Sequence, residues 1–134
     1  MAGLKLYKSE KLCSKREIEM LYAQGTSVIA YPLRAVYVIV PADEGSHPVA
    51  ARFLISIPKK RIRHAVDRVL LRRRTREAYR LNRDYLDDVV QEGKTVLIGF
   101  NWLATHSYKY STIERSMKEL LGKIAAAVAQ NTEQ

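Results

Sequence analysis

The chain contains the run Arg68-Val69-Leu70-Leu71-Arg72-Arg73-Arg74-Thr75-Arg76-Glu77-Ala78-Tyr79-Arg80, in which six of thirteen residues are arginines. From position 63 to 82 there is no Gly or Pro, and Arg, Leu and Ala are good helix formers, so the run reads as the middle of a helix over residues 63–82. At about 100° per residue, Arg68, Arg72, Arg76 and Arg80 climb one side of that helix, and Arg73 and Arg83 join them within an arc of about 140°. Val66, Leu70, Leu71, Ala78 and Leu81 occupy a separate arc and are expected to pack on a sheet. Arg74 falls inside this apolar arc, where its methylenes can pack while its head reaches water.

The charge of the chain is concentrated around this helix. The 134 residues carry 23 Lys and Arg against 14 Asp and Glu, a net charge of +9. Residues 59–83 hold eleven basic side chains and two acidic ones, Asp67 and Glu77, which equals the whole excess. A face that serves only solubility mixes its signs and pairs Glu with Lys four residues apart. Here like charges stack at that spacing, at a cost in helix stability. Arginine is also preferred, and its planar fork suits bidentate contact with phosphate. The segment therefore reads as a site for a nucleic-acid polyanion. Charge alone does not choose between DNA and RNA. No helix-turn-helix spacing, zinc-ligand set, heptad repeat or RNP-type aromatic motif narrows it.

Outward from the helix, the elements follow in both directions. Ser14-Lys15-Arg16-Glu17 has the form of a capping box, and Ile18, Leu21 and Tyr22 follow at helical spacing before Gly25. This predicts a helix over residues 14–24. Residues 27–30 form a candidate short strand. Residues 33–40 and 49–57 read as strands joined by a turn at 43–48, and are expected to pair as a hairpin. After the basic helix, residues 84–88 either extend it or make a separate turn. Residues 95–100 read as a strand. Ser111 to Glu114 has the form of a second capping box, opening a helix with Ile113, Met117, Leu120, Leu121, Ile124 and Val128 on one side. The order α-β-β-β-α-β-α points to an α+β sandwich of helices on a small sheet.

Candidates for protein catalysis are sparse. His47, His64 and His106 are far apart in sequence, and Asp87 and Asp88, being adjacent, point to different sides. Cys13, the single cysteine, has no recognisable activating partner and cannot form an internal disulfide. No apolar run reaches the about 18 residues of a membrane span, and the first residues lack the apolar core of a secretion signal. A reducing cytoplasm is the expected compartment.

The basic run resembles the signature of the bacterial ribonuclease P protein subunit. That signature is Arg-Asn, a variable residue, an aliphatic, Lys or Arg, Arg, two variable residues, then Arg-Glu-Ala-aromatic-Arg. Arg68, Leu71, Arg72, Arg73, and Arg76 through Arg80 follow it. Ile55-Ser56-Ile57-Pro58-Lys59-Lys60 is similar to the family's Ser-Val-Ser-Lys-Lys strand end, and Leu12 onward (LCSKREIEMLYAQGTSV) to its first helix and exit. The likeness is close over about residues 10–83 and holds in element order elsewhere. Three features depart from the pattern, one of them Leu70 at a position that is often Arg. Val69 stands where the signature has Asn, so one amide donor and acceptor is missing. One extra residue separates Lys60 from Ala65.

The resemblance implies one RNA-binding domain over residues 1–134, ordered over about 10–129. It implies a single α-β-β-β-α-β-α sandwich with a small mixed sheet and a left-handed β-α-β crossover, the ribosomal protein S5 domain 2-like class. It implies a subunit of the ribonucleoprotein that removes the 5′ leader of precursor tRNA, with hydrolysis carried by the RNA subunit and its Mg²⁺. The implied partners are ribonuclease P RNA and precursor tRNA, with no membrane and no obligate protein partner. Lys59, Lys60, Arg68, Arg72, Arg73, Arg76 and Arg80 are then expected on RNA. Ile18, Tyr22, Tyr37 and Val69 are expected along the leader's cleft, where a stacked base is worth about 1–3 kcal/mol. Plain core packing is the competing reading of the two tyrosines. The competing reading of the whole chain is a ribosomal-protein-like RNA-binding scaffold.

Overall fold

The computed structural model describes residues 10–42 and 50–132. The elements are α1 (Lys15–Gln24), β1 (Thr26–Ala30), β2 (Leu33–Pro41), β3 (Ala51–Ser56), α2 (Ala65–Asn82), α3 (Asp84–Asp87), β4 (Lys94–Trp102) and α4 (Tyr110–Thr132). The expected order is present, with residues 84–87 forming a separate short helix. The turn expected at 43–48, with His47, lies outside the described residues.

The four strands form one mixed sheet in the order β1-β2-β4-β3. β1 and β2 make an antiparallel hairpin, β2 runs antiparallel to β4, and β3 runs parallel to β4. The hairpin expected between β2 and β3 is therefore absent, because β4 lies between them. The reason is in the side chains. Val96, Leu97, Ile98, Phe100 and Trp102 are all buried, so β4 is apolar on both faces and takes the centre of the sheet. β3 bears half-buried Arg52 and Leu54 and takes an edge. That edge is covered by the chain before α1, where the Leu12 amide donates to the Phe53 carbonyl at 2.8 Å.

Register divides the sheet into two faces. On one face Ala35, Tyr37, Phe53, Val96, Ile98, Phe100 and Trp102 pack beneath α2 and α4. The six apolar residues expected on one side of α4 are all buried there. α4 begins at Tyr110, one residue before the expected cap. The Glu114 carboxylate accepts from Asn82 and Tyr110, so it does not close a box with Ser111. On the other face the short α1 seats Leu21, with Ile18 and Met20, on Val36 and Leu97. Ser14 caps α1 through the Glu17 amide, while the Glu17 carboxylate pairs with Arg52 at 2.6 Å. Gly25 leaves α1 with an extended backbone, not a left-handed one. Its lack of a side chain matters for closeness: a Cβ there would lie 2.6 Å from Val36 Cγ1 and against the Leu21 carbonyl.

α2 presents a different arc to the core from the one its apolar residues suggest. Leu71, Thr75, Ala78, Tyr79 and Asn82 are buried, whereas Val66, Val69 and Leu81 are exposed and Leu70 is half-buried. The Tyr79 ring sets this rotation. It stacks on Phe53 at 4.3 Å and approaches Phe100 at 5.7 Å, contacts worth about 0.5–1.5 kcal/mol each beyond burial. The two polar residues on this arc satisfy themselves along the helix: Thr75 Oγ1 donates to the Leu71 carbonyl and Asn82 Nδ2 to the Ala78 carbonyl, both at 2.8 Å.

Candidate nucleic-acid interface

The rotation of α2 sorts its arginines. Arg83 is buried in an ion pair with Glu10. Arg74 donates to the Tyr108 carbonyl at 2.7 Å, so its head is bound to the loop before α4 instead of reaching water. Arg68 is half-buried and donates to the Ile62 and Arg63 carbonyls at 3.0 and 2.9 Å. It thereby secures the turn into the helix, whose N-cap residue, His64, makes no side-chain cap. Arg80 pairs with Glu77. Of the arginines expected on RNA, Arg68 and Arg80 thus have protein partners; Arg83, expected only on the same arc, leaves the basic face altogether.

Arg72, Arg73 and Arg76 behave otherwise. Arg73 and Arg76 are exposed and Arg72 is partly so. Among the described residues no carboxylate or carbonyl holds any of the three guanidiniums. Lys59 and Lys60 are likewise exposed, in the turn that the Arg61 and Ile62 amides close onto the Pro58 carbonyl. Val69 is 52% exposed and sits on the outward side of α2 with Arg73 and Arg76, so the missing amide falls on the cationic surface itself. Arg72 and Arg76 also line a cavity of about 200 Å³ against Lys11, Cys13, Phe53 and Ile55, between α2 and the β3 edge.

The open face of the sheet supplies a second surface. Tyr22 projects from α1 over Gly99, where a Cβ would come within 2.5 Å of its hydroxyl, and donates to Asn101 Oδ1 at 2.9 Å. Loss of water around Tyr22 raises its pKa despite Asn101 and Arg34, so the hydroxyl stays a neutral donor at pH 7. Arg34 lies beside it on β2, its Nε donating to Ser27 Oγ at 2.8 Å. Ser56 pairs with Asn101 in the ladder, so this polar end of the sheet leads directly to Lys59 and Lys60.

Of the expected cleft residues, Tyr22 and Ile18 lie on the α1 side, Tyr22 41% exposed and Ile18 packed against the Leu21 cluster. Tyr37 does not. It is buried on the opposite face with Ala35 and Ile98, because β2 turns Val36 and Val38 toward α1 and the odd-numbered residues away. Sequence reasoning missed Arg34, Gly99 and Asn101. The alternation Arg34, Val36, Val38 was the available signal for the first; a contact across 79 residues left none for Asn101.

Among the described residues no three His, Cys, Asp or Glu side chains gather to hold a metal ion. None of their helices is long and apolar enough to cross a membrane.

Comparison with known proteins places the chain in a family. The family model of ribonuclease P matches residues 6–125. A ribonuclease P protein component of Porphyromonas gingivalis is 39% identical over 125 residues, covering 92% of this chain and 88% of that protein. One from Chlorobium phaeobacteroides is 33% identical over 104 residues, 75% of this chain and 71% of that protein. The solved RNase P proteins of Staphylococcus aureus (TM-score 0.60, 23% identity, 88% and 96% of the two chains) and Thermotoga maritima (0.61, 19%, 85% and 96%) share the fold.

Proposed function

The chain belongs to the ribonuclease P family, as a protein component of the enzyme that processes the 5′ end of tRNA, and from that premise we propose how its surfaces divide the work. Arg72, Arg73, Arg76, Lys59 and Lys60 grip the catalytic RNA. The single-stranded 5′ leader of precursor tRNA lies on the polar end of the open sheet face, with a base against Tyr22 and a phosphate near Arg34. Hydrolysis belongs to the RNA subunit, and Mg²⁺ held there supplies charge neutralisation and an activated water. The protein binds, orients and shields the negative charge of two RNAs brought together. Such an assembly works in the cytoplasm, where its substrate is made.

The observation that carries this reading is the separation of the arginines. The chain holds its whole excess charge in residues 59–83. Within that segment Arg73 and Arg76 are exposed and Arg72 half-buried, none of them with a protein partner among the described residues, while Arg68, Arg74 and Arg80 are tied down. Unpaired like charges on one surface repel, and a partner that supplies phosphates relieves that cost.

Reconstitution with the cognate ribonuclease P RNA at low Mg²⁺ tests it. The protein is expected to stimulate precursor cleavage and to raise affinity for precursor above that for mature tRNA. Stimulation without that preference would indicate a scaffold, and no stimulation would remove the reading.

A further inference from the structure

The turn between β1 and β2 meets the loop between β4 and α4 at one end of the sheet, on the side away from α1. An aromatic group is exposed there. Tyr31, 56% exposed, meets Tyr108 edge to face at 6.1 Å and 89°, and His106 lies against Tyr108 at 4.7 Å. With 56% of the residue exposed, the Tyr31 ring is open to solvent beside this contact. Next to it is a cavity of about 320 Å³ between the turn and α4, lined by Ile29, Tyr31, Thr112 and Arg115. That volume is at the lower end of the range for small-ligand sites, about 300–1,000 Å³.

The group is held in place from several directions. Ser116 Oγ donates to the Tyr31 carbonyl at 2.9 Å, Lys123 Nζ to the Ile29 carbonyl at 3.0 Å, and the Leu103 amide to the Pro32 carbonyl at 2.8 Å. Two arginines of the basic segment clamp the ends of the loop, Arg61 on the Leu103 carbonyl and Arg74 on the Tyr108 carbonyl, both at 2.7 Å. The Tyr108 pKa is raised, first by loss of water and then by the neighbouring Tyr31. The ring pair is therefore pre-organised, which lowers the entropy lost on binding.

The charges favour an anion. Arg115 is exposed, and among the described residues nothing bonds its guanidinium. The carboxylate in the cavity wall, Glu119, is paired with Lys123 at 2.9 Å. An open aromatic face, a free guanidinium and a hydroxyl around a space of this size are the parts of a nucleotide-stacking site.

The geometry points to a second site for single-stranded RNA, in which a base stacks on Tyr31 and its phosphate meets Arg115, on the opposite side of the sheet from Tyr22. It does not depend on the leader's path. The cleft under α1 and this site are separated by the sheet, and either can bind without the other.

Photo-crosslinking of the full chain to a 4-thiouridine-substituted oligouridylate, with peptide mapping, tests the site. Adducts are expected on the peptides carrying Tyr31 and His106–Tyr108, in addition to those near Tyr22 and α2. Tyr31→Ala should raise the concentration for half-maximal adducts at these two positions by about 5–150-fold, the range for one base stacked on an aromatic ring. Tyr31→Phe keeps the ring and should stay within about twofold of the parent. Adducts near Tyr22 should not change in either variant. Adducts confined to Tyr22 and α2, or an unchanged half-maximal concentration at His106–Tyr108 in Tyr31→Ala, would overturn the site. Precursor cleavage by the same variants in the reconstituted enzyme reads the leader cleft separately.

Discussion

Arg83 and Arg73 are separated by ten residues and carry the same guanidinium, yet they belong to different parts of the molecule. Arg83 is enclosed with Glu10 between the N-terminal segment and the end of α2. Arg73 stands in solvent on the outer side of α2. Arg74 and Arg68 fall with the first, bound to carbonyls of neighbouring loops, and Arg72 and Arg76 with the second. The difference teaches that a basic run is not one surface. A guanidinium with five donors can join loops as readily as it can meet phosphate, and only packing reveals which it does.

Mutation should separate the two sets most strongly in stability. Arg83→Ala removes the guanidinium paired with buried Glu10 and is expected to cost about 3–5 kcal/mol in urea unfolding. Arg73→Ala should change stability by less than about 0.5 kcal/mol. Equal losses would erase the distinction.

The same contrast holds between two tyrosines. Tyr37→Ala removes a ring from the covered face of the sheet and should cost about 3–5 kcal/mol of stability, judged from aromatic truncations in cores. Tyr22→Ala should leave the fold nearly intact and reduce the preference for precursor over mature tRNA by about 5–150-fold in direct binding. A precursor preference lost in Tyr37→Ala at full folding, and kept in Tyr22→Ala, would reverse the assignment of the faces.

A smaller effect is expected on the outer side of α2. Val69→Asn restores an amide among the exposed arginines, and RNA binding should tighten by about 2–12-fold, the worth of one hydrogen bond. Equal or weaker binding would mean that the valine contacts RNA through its methyls.

Much of the fold was legible in the sequence because its signals are local. The apolar spacing of α4 names its buried side residue by residue, and Ser14 does cap α1. The partnering of the strands was less accessible. A run apolar on both faces could have identified β4 as the central strand, but the short distance between β2 and β3 suggested a hairpin instead. The core arc of α2 was misjudged because hydrophobicity alone ranks Val66 and Leu81 above Tyr79, Thr75 and Asn82. In the fold a large ring buries more contact than a valine, and the two polar side chains bond to their own helix. In the candidate site the basic segment was evident from charge, but its division was not. The partners of Arg68 and Arg74 are backbone carbonyls, which leave no mark in side-chain composition. Tyr37 was placed one residue out of register, and in a strand one residue is the whole difference between faces.

Salt dependence reads directly whether Lys59, Lys60, Arg72, Arg73 and Arg76, which have no protein partner among the described residues, meet RNA phosphates. With Arg72, Arg73, Arg76, Lys59 and Lys60 engaged, log K for the cognate RNA should fall with log salt concentration at a slope of magnitude about 3.5–4.5. Replacing Arg73 and Arg76 together by Ala should lower that magnitude by about 1.4–1.8, two phosphates' worth, while Arg74→Ala leaves it unchanged. A double variant with the parent's slope, or an Arg74→Ala that flattens it as much, would contradict the account.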